Sequence, residues 1–72
     1  MVDTQELENR IKLSGKKKQY LADKIGCSRQ YLTMKIKNEV DFDLREVAIL
    51  CNELHISTLS DKERIFFAKK VT

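Results

Sequence analysis

The side chains able to do chemistry here are a large basic set and a sparse group of soft ligands and nucleophiles. Lys16, Lys17 and Lys18 stand together, Arg29 and Gln30 follow Ser28, and Lys35, Lys37 and Asn38 come soon after. Between Arg10 and Lys37 nine residues are basic and only Asp23 is acidic, whereas from Asn38 to Asp61 six acids face Arg45 alone. The formal net charge of +3 hides this polarity. A molecule so divided offers one region to a polyanion and holds the other away. A solvated lysine-rich surface would look the same, and charge alone does not separate the two readings. Bond-making chemistry has less to work with. Cys27, Cys51 and the single histidine, His55, lack the spacing of a zinc site, and there is no C-x-x-C pair. No nucleophile is matched to a base and no glycine-rich loop would cradle a phosphate. The expectation is a binding protein with no enzymatic activity, cofactor or metal, in which His55 marks a helix end.

Such side chains need a scaffold, and 72 residues supply one domain, residues 1–72. A chain this short buries only roughly 60% of its unfolded surface, and a single core of this size contributes ~3–5 kcal/mol. Disulfides, metals or self-association usually assist such small cores. Two cysteines make a poor disulfide framework, and they read better as small apolar core residues in a reducing cytosol. Asp3, Glu6 and Glu8 stand where a secretory leader would need basic and apolar residues. No apolar run approaches the ~18 residues that suggest a membrane span. The expected location is the cytoplasm, and self-association is the remaining aid.

Proline is absent, there are two glycines, and apolar residues recur at helical spacing, so the expectation is an all-α bundle of about five short helices. The first starts at Asp3 or Thr4, where Asp3 and Glu6 have capping-box spacing, carries Leu7 and Ile11, and stops at Gly15. The second has Tyr20, Leu21 and Ile25 on its apolar face, with Ala22 permitting close approach of a neighbour. Gly26 allows a sharp turn through positive φ. Ser28 then caps a third helix to about Lys37, with Leu32 and Ile36 inward and Arg29, Gln30, Thr33, Met34 and Lys37 outward. Asn38 is a left-handed terminator. Asp43 and Glu46 form a second capping box before a helix with Leu44, Val47, Ala48, Leu50, Cys51 and Leu54 on its stripe, ending near Leu54 or His55. Ser60 is expected to cap a fifth helix to about Phe67, followed by a partly extended tail, 68–72. Adjacent residues of a helix point apart. Either one ring of Phe66 and Phe67 is exposed for contact with a partner or a second copy, or both finish the core.

The segment 18–37, KQYLADKIGCSRQYLTMKIK, resembles the helix-turn-helix of the Cro and phage-repressor (XRE-type) family. Leu21–Ala22, Ile25–Gly26, Cys27–Ser28, Leu32 and Ile36 carry the resemblance, which extends more weakly over roughly residues 5–57. It departs from the family pattern at Lys18, where glutamine is frequent, and at Asn38 and His55, where glycine is frequent. The resemblance implies a lambda-repressor-like fold with its second motif helix in the major groove of DNA. It thereby assigns base contacts to Ser28, Arg29, Gln30, Thr33 and Met34, with Arg29 suited to guanine and Gln30 to adenine. Lys17, Lys18, Lys35, Lys37 and Asn38 fall to phosphate contacts. Met34 is equally placed for a protein partner, and Tyr31 either flanks the core or reaches a phosphate. The implied protein is a small regulator from a temperate phage or prophage that binds double-stranded operator DNA and acts in the lysis–lysogeny switch, as a homodimer if an aromatic is exposed. The alternative is a modulator or antirepressor that binds a phage repressor protein, with or without joint DNA contact.

Overall fold

The computed structural model describes residues 1–68, and the expected tail beyond Ala68 lies outside them. Five helices follow in order: α1 (Thr4–Ser14), α2 (Lys18–Ile25), α3 (Arg29–Ile36), α4 (Leu44–Glu53) and α5 (Leu59–Phe66). The described residues contain no strand, and no helix among them is long and apolar enough to cross a membrane. The architecture is the expected all-α bundle.

Local signals set most of the boundaries. The Asp3 carboxylate accepts from Glu6 N, opening α1, and Gly15 closes it at φ 72°. Ser28 Oγ accepts from Tyr31 N at the start of α3. Asp43 and Glu46 make a complete capping box on α4, each side chain accepting from the other's backbone N–H, at 2.7 and 2.9 Å. Asn38 and His55 terminate their helices at φ 65° and 57°. Asn is tolerated there because its short polar side chain eases the left-handed conformation.

Four local expectations are corrected. The box at Asp3 is only half formed, because the Glu6 carboxylate turns to Arg10 and Arg64 instead. Tyr20 lies on the outside of α2, where the ammonium groups of Lys16 and Lys24, one turn away on either side, sit 5.8 and 5.4 Å from its ring. Leu44 and Ala48 are exposed, so α4 buries a narrower stripe of Leu50 and Cys51, extended by Leu54 at its C-cap. Finally, Thr58 rather than Ser60 caps α5, its hydroxyl accepting from Asp61 N at 3.2 Å. That choice puts the Asp61 charge in the first turn, where the helix dipole favours it.

The core joins Leu7 and Ile11 of α1, Leu21, Ala22 and Ile25 of α2, Leu32 and Ile36 of α3, and the buried residues of α4 and α5. Helix α2 packs on α3 and α4, while α1 touches α3 and α5. Cys51 belongs to this core, and Cys27 is partly buried against it. Phe66 is buried and Phe67 is 52% exposed, the divided arrangement of the two expected. The C-terminal end of α5 is tied to the N-terminal segment: Asp3 N donates to Ile65 O at 2.7 Å and Ala68 N to Met1 O at 2.9 Å.

Candidate nucleic-acid interface

The α2–α3 unit turns on three residues. Gly26, at φ 93°, ends α2 with its N–H on Ala22 O at 2.8 Å, and Cys27 N shares that carbonyl at 3.0 Å. Ser28 begins α3 in extended conformation. From the next layer Arg45 reaches across and donates to Ile25 O at 2.8 Å, satisfying a carbonyl that the turn leaves open. Arg45 was not singled out from the sequence. Its signal was its isolation, a lone base within an acidic stretch just after a helix cap.

The residues expected to reach outward fall into two sets. Ser28, Arg29 and Gln30 are exposed, and Thr33 and Met34 are half-buried beside them on α3. The Thr33 hydroxyl donates to Arg29 O one turn back at 3.1 Å. Arg29 and Gln30 have no side-chain hydrogen bond or ion pair among the described residues, so their donors face solvent at the front of α3. Lys17 and Lys37 are exposed as well. Lys17 occupies the N-cap of α2 without capping it, so the first amides of α2 have no side-chain acceptor. A shallow groove of about 310 Å³ lies there, lined by Lys17, Lys18, Gln19 and Arg29. Free amides at a helix N-terminus beside cations favour an anion. Gln19, whose Nε2 donates to Asp23 at 2.9 Å, joins this groove although no role had been assigned to it.

Two expected phosphate contacts sit differently. Lys35 is buried at 5% exposure, its Nζ donating to Glu46 Oε1 at 2.8 Å and to Asp41 O at 2.9 Å. Its position between Leu32 and Ile36 faces the α4 cap, which removes it from the outward set. Asn38 has an exposed surface, but its side-chain amide is committed: Oδ1 accepts from Val2 N at 2.7 Å and Nδ2 donates to Val2 O at 2.9 Å. Lys18 stays near the groove while its ammonium pairs with Glu8 at 3.0 Å.

The electrostatics of the turn do not favour nucleophilic chemistry. Burial, followed by the nearby Glu46 charge, pushes the Cys27 thiol above its ordinary range and keeps it protonated. Burial raises the Cys51 thiol too. No group of three His, Cys, Asp or Glu residues among the described ones is placed to hold a metal ion. Phe67 lies in a cleft of about 240 Å³ shared with Met1, Val40, Phe42 and Phe66. Comparison of the chain with family models, with curated proteins and with solved structures finds no match.

Proposed function

We propose that this chain is a sequence-specific DNA-binding regulator that lays α3 in the major groove. The observation that carries the reading is the pairing of uncommitted Arg29 and Gln30 donors at the front of α3 with the cationic groove at the start of α2. Arg29 offers two parallel donors to a guanine edge and Gln30 a donor and an acceptor to adenine. Ser28, Thr33 and Met34 complete the set of base contacts. Lys17, Lys18 and Lys37, with the first amides of α2, hold the phosphates and fix the docking register. The resemblance of segment 18–37 to the Cro and phage-repressor family supports the helix-turn-helix reading and makes the protein a repressor of a phage or prophage switch. Its place of action is then the cytoplasm of a bacterial host. Exposed Phe67 supports a homodimer, which suits paired DNA half-sites.

The apolar cleft around Phe67, with the exposed acids Glu39 and Asp41 beside it, supports a second reading as a modulator that binds a phage repressor. One experiment separates the two. Purified protein is titrated onto the DNA upstream of its own gene across a salt series, with and without the neighbouring repressor. Specific binding alone, with log K falling linearly against log salt, supports the operator reading. No specific binding alone, with a stable complex to the repressor, overturns it in favour of the modulator.

A further inference from the structure

Helix α3 carries two charged residues, and they face opposite ways: Arg29 is exposed and Lys35 is buried. We infer that Lys35 and Glu46 form a positioning pair, which fixes the roll of α3 about its own axis and so decides which of its side chains face outward. The apolar anchors of this eight-residue helix, Leu32 and Ile36, are fully buried, but apolar contact is non-directional, and the hydrogen bonds to Thr4 and Val2 hold only its exit, at Ile36 O and Asn38. The ammonium is directional. Its acceptors, Glu46 Oε1 at 2.8 Å and Asp41 O at 2.9 Å, lie on the α4 cap and on the segment leading to it. Glu46 Oε1 cannot drift to follow α3, because it also accepts from Asp43 N in the capping box. The Nζ further lies 5.0 Å from the Tyr31 ring centroid and 5.7 Å from that of Phe42. The cation is thus held from the α3 side and the α4 side together, an arrangement that also orders the exposed Tyr31 ring. Neighbouring side chains on a helix are about 100° apart, so a partial roll would carry Arg29 and Gln30 away from a groove they had faced.

A buried ion pair is a poor source of stability, since desolvating both charges offsets most of their attraction. Positioning and folding can therefore be separated. The inference rests on the proposed DNA reading only for its consequence in binding; the roll of α3 belongs to the free protein. In the double variant Lys35→Met/Glu46→Gln no unpaired charge remains, and Gln keeps the oxygen that Asp43 N needs. The melting midpoint is expected to stay within about 4 °C of the parent. Residual dipolar couplings of the amides of α3 should then cease to fit their parental orientation relative to α4. Affinity for the upstream duplex should drop about tenfold, as for one misaligned base contact. The salt slope should hold, because the phosphate contacts are kept. Couplings that still fit the parental orientation overturn the inference. If the double variant does not fold, the parent decides: a slowly exchanging Lys35 Nζ resonance is expected, and one exchanging as fast as those of exposed lysines overturns the pair. A parent that binds no duplex specifically sinks the DNA reading, while the couplings still rule on the roll.

Discussion

Where α1 meets α5, Arg10 lies 3.3 Å from Glu6 and 3.5 Å from Asp61, and Arg64 reaches Asp61 at 3.0 Å and Glu6 at 3.5 Å. Every charge in that cluster has an opposite neighbour. At the front of α3 and the start of α2, Arg29 and Lys17 have no such partner among the described residues, and Lys17 stands over uncapped amides. The two surfaces use the same residue types for different ends. In the first, charges answer one another and help to seat two helices. In the second, the answering charge is left to come from outside, and that is where a polyanion gains most from binding. Lys16 and Lys18 belong to an intermediate class. Lys16 is paired with Glu53 at 2.9 Å and Lys18 with Glu8, so the lysine run is less available to a ligand than its sequence suggests.

The largest effect should come from the buried side of α3. Leu32 is fully buried, and Leu32→Ala is expected to cost ~2–5 kcal/mol, comparable to the whole stability of so small a core. Chemical denaturation should show a chain largely unfolded without denaturant; a cooperative transition near the parental midpoint would mean that α3 is not anchored as described. Arg29→Ala sharpens the comparison. It should weaken specific DNA binding by ~1–3 kcal/mol and leave the melting temperature alone, whereas Arg10→Ala should leave DNA binding alone and change stability by only ~0–1 kcal/mol. Equal effects of the two on DNA affinity would erase the distinction between the surfaces. The turn that aims α3 gives a third, similar or smaller effect. At Gly26 an added Cβ meets nothing within 4 Å, so Gly26→Ala carries only the backbone cost of φ 93°, about 1–2 kcal/mol by thermal melting.

The smallest effect is the acid response of the paired carboxylates Asp61 and Glu53. The hydrogen bond from Arg64 holds the Asp61 carboxyl below its ordinary range, and the bond from Lys16 does the same for Glu53. A depressed folded pKa means that the unfolded chain binds protons first on acidification. The contribution is present at neutral pH and lost as the pH falls through and below the carboxylate range. Melting curves from pH 7 down to about pH 3 should therefore descend less steeply in Asp61→Asn/Glu53→Gln than in the parent. High salt should narrow the difference, because these pairs are solvent-accessible and screened. Parallel curves would show that the ion pairs contribute nothing.

Helix ends were legible in the sequence wherever the deciding atoms lie within a few residues of one another. Ser28, Gly26, Asn38 and the Asp43–Glu46 box are of this kind, and through them the outward placement of Arg29 and Gln30 could be read. Thr58 and Ser60 offered two equivalent hydroxyls, each with an acid three places on, Asp61 and Glu63, so no local signal separated them. Lys35 was misplaced for a different reason. Its phase beside Leu32 and Ile36 pointed inward, but a lysine ordinarily stays outside unless paired, and the partner stands eleven residues on at Glu46. Asn38 shows the same blindness: its backbone angle is local and was foreseen, while its side chain answers to Val2, 36 residues back. Asparagine is thus more than tolerated at this positive φ. A glycine would take the same φ and lose both bonds to Val2.

That tie has a bearing on the order in which the chain matures. The exit of α3 is clasped by Val2 through Asn38 and by Thr4, whose hydroxyl donates to Ile36 O at 2.6 Å. The same N-terminal stretch is anchored in turn by Ile65 and Ala68, more than 60 positions later. During synthesis from the N-terminus, α1, α2 and α3 can meet as soon as they emerge, but the strap over the end of α3 has no second anchor until α5 has been made. The exit of α3 is therefore among the last parts of the molecule to set, and a nascent chain stopped short of α5 would carry its Val2 and Thr4 contacts on a strap that lacks its second anchor.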